Sequence, residues 1–199
     1  MRIGIFGGSF DPPHRGHLAV ARAAADAYNL NQINILPVGR QPLKKSQPEV
    51  DFVGRLAMVE LLCKDANDGR LIASDLDAPK PDGSPNFTID LLTRLQSDTS
   101  ELYTIVGADS FLALRSWKSP EKLLEFSHWI VVSRPGFPLD LSPLLLSNEQ
   151  LSRVHLLETV HEDVSATEIR SALHHHHPTP YLTPSVATFI AKNRLYGSP

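Results

Sequence analysis

The chain has a single cysteine, Cys63, among 199 residues. One thiol supports neither a disulfide framework nor a cysteine-based zinc site within one copy, and it suits a reducing cytoplasm. No apolar run reaches the 18 residues that a membrane-spanning helix needs. The start, Met1-Arg2-Ile3-Gly4-Ile5-Phe6, runs into glycine and proline without the apolar stretch of a secretory signal. Positive charge is not in excess either: 19 Lys+Arg face 22 Asp+Glu, a formal charge of −3, so no broad basic surface for a nucleic-acid backbone is expected. A small nucleotide remains compatible, because its phosphates need only local positive groups. Nothing at periods of 20–50 residues repeats. What the chain has in quantity is histidine, 9, and proline, 16, and their positions are informative.

Six short apolar segments rich in Ile, Val and Leu read as buried strands: Ile3–Phe6, Ile33–Leu36, Leu71–Ser74, Tyr103–Val106, Trp129–Val132 and Val154–Leu157. Helical patterns lie between and after them, at about 17–29, 51–63, 88–96, 110–125, 166–173 and 184–194. Asp51, Ser119 before Pro120 and Thr183 before Pro184 read as helix caps. The alternation predicts one α/β domain over 1–199, a Rossmann-like, doubly wound and mainly parallel sheet with helices on both faces, and a helical part at 160–199. In such a sheet ligands lie beyond the carboxyl ends of the strands, so the loops after the strands matter most.

After the first strand comes Gly7-Gly8-Ser9-Phe10-Asp11-Pro12-Pro13-His14-Arg15-Gly16-His17. Glycines at a strand end let an anion approach backbone N–H groups. The glycine spacing fits neither G-x-G-x-x-G nor a P-loop. His14 and His17, three residues apart at the opening turn of a helix, place two imidazoles where the helix dipole already favours phosphate, and such donors stabilise charge on a phosphoryl oxygen. A zinc reading would need Asp11 as third ligand; the bland alternative is a loop histidine and a helix-start donor. Far downstream, Ser165-Ala166-Thr167-Glu168-Ile169-Arg170 reads as a capping box with Glu168 reaching back to Ser165. The same turn offers free N–H groups, two hydroxyls and Arg170 as a clamp for a triphosphate.

The run Gly7 to His17 resembles the H-x-G-H signature of the nucleotidylyltransferase superfamily in its longer form G-G-S/T-F-D-P-x-H-x-G-H, and Ser165, Thr167, Ile169 and Arg170 resemble its second signature, S/T-x-T-x-I-R. The resemblance implies an ATP site formed by Gly7, Gly8, Ser9, Phe10, His14, His17, Gly107, Asp109, Ser165, Thr167 and Arg170, with His17 stabilising the transition state and no covalent intermediate. Over nearly its full length the chain is similar to the bacterial nicotinate-nucleotide adenylyltransferase family. That likeness implies catalytic roles for His14, His17, Lys44 and Arg170, and acceptor contacts from Thr88, from Trp117 as a stacking face for a pyridine ring, and from Arg134 in Ser133-Arg134-Pro135-Gly136. Asp109 in Gly107-Ala108-Asp109-Ser110 suits ribose hydroxyls or the acceptor. Leu43 and Phe87 stand where the family has histidine and tyrosine. Lys44 and Lys45 in a solvated loop, Thr88 as a plain helix start, Trp117 as a core residue and Arg134 as a turn arginine are the structural alternatives.

The resemblance implies adenylyl transfer from ATP to nicotinate mononucleotide, with Mg²⁺ carried on ATP and no metal held by the protein. Nicotinamide mononucleotide and pantetheine phosphate are the rival acceptors. A non-catalytic nucleotide-binding module is a rival of another class; an aminoacyl-tRNA synthetase core would need more chain and a basic surface. Neither nucleic acid nor membrane is an expected partner, and self-association is compatible with the sequence. Phe111, Phe126 and Trp129 read as core, and His174 to His177 as a solvated stretch. His128, His155 and His161 carry no evident role.

Overall fold

The computed structural model describes residues 1–42, 47–96, 100–133, 139–158 and 165–198. Its centre is a six-stranded sheet of β1 (Arg2–Gly8), β2 (Gln32–Pro37), β3 (Leu71–Ala73), β4 (Glu101–Gly107), β5 (His128–Val132) and β6 (Val154–Leu157). The spatial order is β3-β2-β1-β4-β5-β6 and every pair is parallel. All six carboxyl ends therefore share one edge, and the order reverses between β1 and β4. That switch point is where a doubly wound sheet opens a crevice for a ligand.

The helices are α1 (Arg15–Ala27), α2 (Phe52–Ala66), α3 (Thr88–Leu95), α4 (Ala108–Leu112), α5 (Pro120–Phe126), α6 (Asn148–Ser152), α7 (Ala166–His174) and α8 (Pro184–Lys192). Adjacent strand residues face opposite sides of a pleated sheet, and the core divides accordingly. One cluster joins Phe6, Ile35, Ile105 and Ile130 to residues of α1, α2, α7 and α8. The other joins Ile5, Leu36, Val106 and Val131 to residues of α3, α4 and α5. Alanine lets α1 lie close to the sheet, since Ala21, Ala24 and Ala25 are fully buried.

The predicted helix over 110–125 is broken into α4, a 3₁₀ turn at Leu114–Ser116, and α5. Trp117 is extended (φ −80°, ψ 160°), and Ser119 takes the left-handed region (φ 55°) before Pro120 opens α5. A proline has no N–H to continue a preceding helix. Asp51 caps α2 as expected, accepting from the Gly54 N–H at 2.8 Å. Ser119 and Thr183 occupy cap positions but make no side-chain cap bond. The pattern also missed α6, which Ser147 and Gln150 hold by a reciprocal capping box. The first helix begins two residues earlier than 17, and that shift bears directly on the histidines.

Candidate active site

Beyond β1 the chain turns sharply: Phe10 lies in the left-handed region (φ 48°) and the Asp11–Pro12 peptide is cis. His14 then becomes the N-cap of α1 with an extended backbone (φ −147°, ψ 173°), and His17 its third residue. The His14 N–H donates to His17 Nδ1 at 3.2 Å. A ring nitrogen that accepts carries no proton, so the neutral His17 ring keeps its proton on Nε2 and presents that N–H as a donor. The two rings lie 3.7 Å apart between centroids, and Phe10 packs edge-on against His17 at 4.8 Å. His17 thus reaches back to the cap, whereas the His14 side chain makes no cap hydrogen bond and its Nδ1 is buried without a hydrogen-bond partner. Burial pushes the His14 imidazole down to about 4; burial and then the neighbouring His14 hold His17 well below the ordinary value. Both rings are neutral at pH 7.

Asp11 ties this loop to three distant segments. Its buried carboxylate accepts from the N–H groups of Glu49 (2.8 Å) and Val50 (3.2 Å). The Tyr196 hydroxyl also donates to it, at 2.6 Å, and burial together with this acidic partner drives the phenol far above its ordinary range. Its backbone carbonyl accepts from the Arg170 guanidinium at 2.6 Å. Arg170 donates as well to Thr167 Oγ1 at 3.3 Å, and Ser165 caps α7 by a reciprocal box with Glu168. The two signatures, 159 residues apart at this contact, meet in space. Its carboxylate oxygens thus accept from three donors on two distant segments, and among the described residues no group of three His, Cys, Asp or Glu side chains could hold a metal ion.

Gly7 and Gly8 are the last residues of β1, and Ser9 follows them. Across the switch point, Gly107 is the N-cap of α4 and Asp109 lies exposed in its first turn. Of the expected acceptor residues, Thr88 on α3 and Trp117 belong to the opposite face of the sheet from the histidines. Thr88 is the first residue of α3, and Trp117 is half-buried, edge-on to Trp129 at 6.0 Å. Phe87 has the ammonium of Lys118 at 4.6 Å from its ring centre and that of Lys80 at 5.7 Å; Asp90 pairs with both lysines, at 3.0 and 3.4 Å. No motif in the sequence pointed to these two cations. A cavity of about 180 Å³ opens beside them, lined among others by Asp77, Asn86, Phe87 and Arg94. Burial pushes the Asp77 carboxyl up to about 6 although Asn86 donates to it. Lys44, Leu43, Lys45, Arg134 and His161 lie outside the described residues.

Three other expectations find a place. Trp129 and Phe111 are fully buried and Phe126 partly so. His174 ends α7 with His175 to His177 exposed beyond it, and its Nε2 lies 3.3 Å from Glu49. His128 Nδ1 and His155 Nε2 share a hydrogen bond of 3.1 Å, with Tyr103 stacked on His128. These two lie at the starts of β5 and β6, the edge of the sheet away from the signatures.

Comparison with known proteins follows the same lines. The cytidylyltransferase-like family matches residues 5–172. A curated relative from Roseiflexus castenholzii, named "probable nicotinate-nucleotide adenylyltransferase", is 36% identical over 197 residues, covering 98% of both chains. One of the same name from Chromobacterium violaceum is 34% identical over 212 residues, again covering 98% of each. Among solved structures, Plasmodium falciparum nicotinic acid mononucleotide adenylyltransferase shares the fold. Its complex with APC superposes with a TM-score of 0.76 at 22% identity, and its complex with NaAD with 0.78 at 23%, each match covering 100% of this chain and 98% of the other.

Proposed function

The chain belongs to the nicotinate-nucleotide adenylyltransferase family, and on that premise we propose how its residues transfer the adenylyl group of ATP to nicotinate mononucleotide. A phosphate oxygen of the acceptor attacks the α-phosphorus in line. The bond from that phosphorus to the oxygen bridging to the β-phosphorus breaks, pyrophosphate leaves with the electron pair, and deamido-NAD forms. The acceptor phosphate is already anionic at pH 7, so no general base is needed and catalysis is positioning plus charge stabilisation.

The observation that carries this reading is the contact between the two signatures, Arg170 on the Asp11 carbonyl, beside the adjoining rings of His14 and His17. A neutral His17 donates Nε2–H to a phosphoryl oxygen; a preorganised donor of this kind acts without reorganising as charge builds. His14 and Arg170 hold the phosphates from either side, with the start of α7 that Ser165 caps, including the N–H of Thr167, and the Gly7 to Phe10 backbone contributing N–H groups. Gly107 and Asp109 face the nucleoside across the switch point. Lys44 and Arg134 complete the positive set in this reading. Magnesium arrives as part of the substrate, carried on ATP oxygens and water, and no step is routed through a metal held by the protein.

Thr88 and Trp117 receive the acceptor, the indole offering a flat face to an electron-poor ring. Lys118 follows Trp117 directly and, with Lys80, supplies the local positive charge that favours a ring carboxylate over a carboxamide. The reaction takes place in the cytoplasm in this reading, consistent with a single cysteine and with no helix among the described residues long and apolar enough to cross a membrane. A pyrophosphate-release assay with ATP and each of nicotinate mononucleotide, nicotinamide mononucleotide and pantetheine phosphate tests it. Turnover should be fastest with the first; preference for either other acceptor, or ATP binding without release under all three, would overturn the reading.

A further inference from the structure

Helix α2 buries one face through Arg55, Met58, Val59, Leu62 and Ala66. Four of these are apolar and the first is an arginine only 2% exposed. A buried guanidinium needs partners for its fixed fork of donors. Among the described residues no carboxylate accepts a hydrogen bond from it; instead it donates to three backbone carbonyls on two segments. Nε reaches Val50 at 3.0 Å, one terminal nitrogen reaches Ser9 at 2.8 Å, and the other reaches Val38 at 2.9 Å.

Those three carbonyls are not scattered. Ser9 belongs to the loop after β1. Val38 and Val50 are the two feet of the segment that leaves β2 and enters α2, and this segment includes position 44. Both feet are tied again: Val38 N–H donates to the Gly8 carbonyl at 2.9 Å, and Val50 N–H to the Asp11 carboxylate. Gly39, next to the first foot, lies so near the following strand's loop that a Cβ would stand 2.6 Å from the Pro79 nitrogen.

We propose that Arg55 is a positioning residue for adenylyl transfer, locking the loop after β1 and both feet of segment 39–49 into one arrangement by its three carbonyl bonds. The proposal rests on the adenylyltransferase reading and deepens it. Arg55 touches neither substrate in this account. Its charge acts through the peptide unit that joins Ser9 to Phe10: a cation on the carbonyl end polarises the unit and makes the N–H at its other end a stronger donor. It also sets where the neighbouring N–H groups and His14 stand, and displacements near 1 Å in such a constellation cost about 10²-fold in rate. Only arginine presents a planar fork that reaches three acceptors; a lysine ammonium is a point donor.

The test compares wild type with Arg55→Lys and Arg55→Met, each assayed at a temperature well below its own cooperative unfolding transition. With the wild type active, both variants should lose kcat by about 10- to 100-fold, the lysine variant nearly as much as the methionine variant. KM for nicotinate mononucleotide should change far less, because Thr88 and Trp117 belong to the other face of the sheet. Folded variants with kcat within twofold of wild type, and only a lowered melting temperature, would reduce Arg55 to a fold residue and overturn the proposal. Should neither variant fold, wild type labelled with ¹⁵N-arginine carries the test. Saturation with the α,β-methylene analogue of ATP should shift the slowly exchanging Arg55 Nε–H resonance, and an unmoved resonance would overturn the proposal. A wild type inactive with every acceptor instead overturns the functional reading.

Discussion

Lowering the pH from 8 to 5 should destabilise this protein through His14, by an amount the structure sets. The unfolded chain binds a proton at His14 with an ordinary pKa near 6.5, whereas burial lowers the folded value to about 4. Between those values the unfolded state takes up a proton that the folded state refuses, so stability is full above 6.5 and is lost as pH falls towards 4. At pH 5 the deficit from His14 alone is about 2 kcal/mol, because the solution then lies roughly 1.5 pH units below the unfolded value and each pH unit is worth ~1.36 kcal/mol. His17, lowered by burial and by His14, adds in the same direction. Urea unfolding at pH 8, 7, 6 and 5, on wild type and on His14→Asn, separates His14 from other titrating groups. Asparagine is a good N-cap residue, so α1 should keep its start. The difference in unfolding free energy between pH 8 and pH 5 should be larger in wild type by about 2 kcal/mol. Parallel curves for the two proteins, or a wild type that gains stability on acidification, would show that His14 is not buried neutral and would refute the reasoning. A bound triphosphate must reverse the effect, because anionic oxygens beside the rings favour the protonated form.

Three further outcomes follow from the same geometry. His17→Ala should lower kcat by about 10²–10³-fold in the pyrophosphate-release assay, the usual cost of removing one preorganised donor; turnover near wild type in a folded variant would remove His17 from the transition state. Tyr196→Phe deletes the hydroxyl that donates to Asp11 and should cost about 2 kcal/mol, seen as a melting temperature lowered by about 4–8 °C; an unchanged melting temperature would mean that this bond does not hold the carboxyl-terminal turn to the loop after β1. Lys118→Gln should narrow the preference for nicotinate mononucleotide over its amide by roughly two- to fivefold, since an exposed ammonium is worth ~0.2–1 kcal/mol; equal losses with both acceptors would show that Lys118 does not read the ring substituent.

What was legible in the sequence was whatever repeats locally. Six short apolar runs gave six strands, because a strand covered on both faces must be apolar throughout, and reciprocal pairs such as Ser165 with Glu168 announce a helix start three residues apart. Boundaries failed where one residue's backbone overrode a good helical pattern, as Ser119 did in the left-handed region. The candidate site was legible as two separate motifs, and its assembly was not. Asp11 stood in the sequence as a spare carboxylate open to a metal, while in the fold its partners come from positions 49, 50 and 196; no period or spacing connects residues 185 apart. Arg55 is a different case, since its signal was present. On a helix whose other buried positions, at i+3, i+4, i+7 and i+11, are Met, Val, Leu and Ala, an arginine in the same phase contradicts the pattern that predicts the helix. A charge in a buried phase costs several kcal/mol unless it is fully hydrogen-bonded, so that contradiction by itself requires acceptors on other segments. The segments that supply them here are the two that open beside the expected phosphates, which turns a broken amphipathic rule into a pointer to the site.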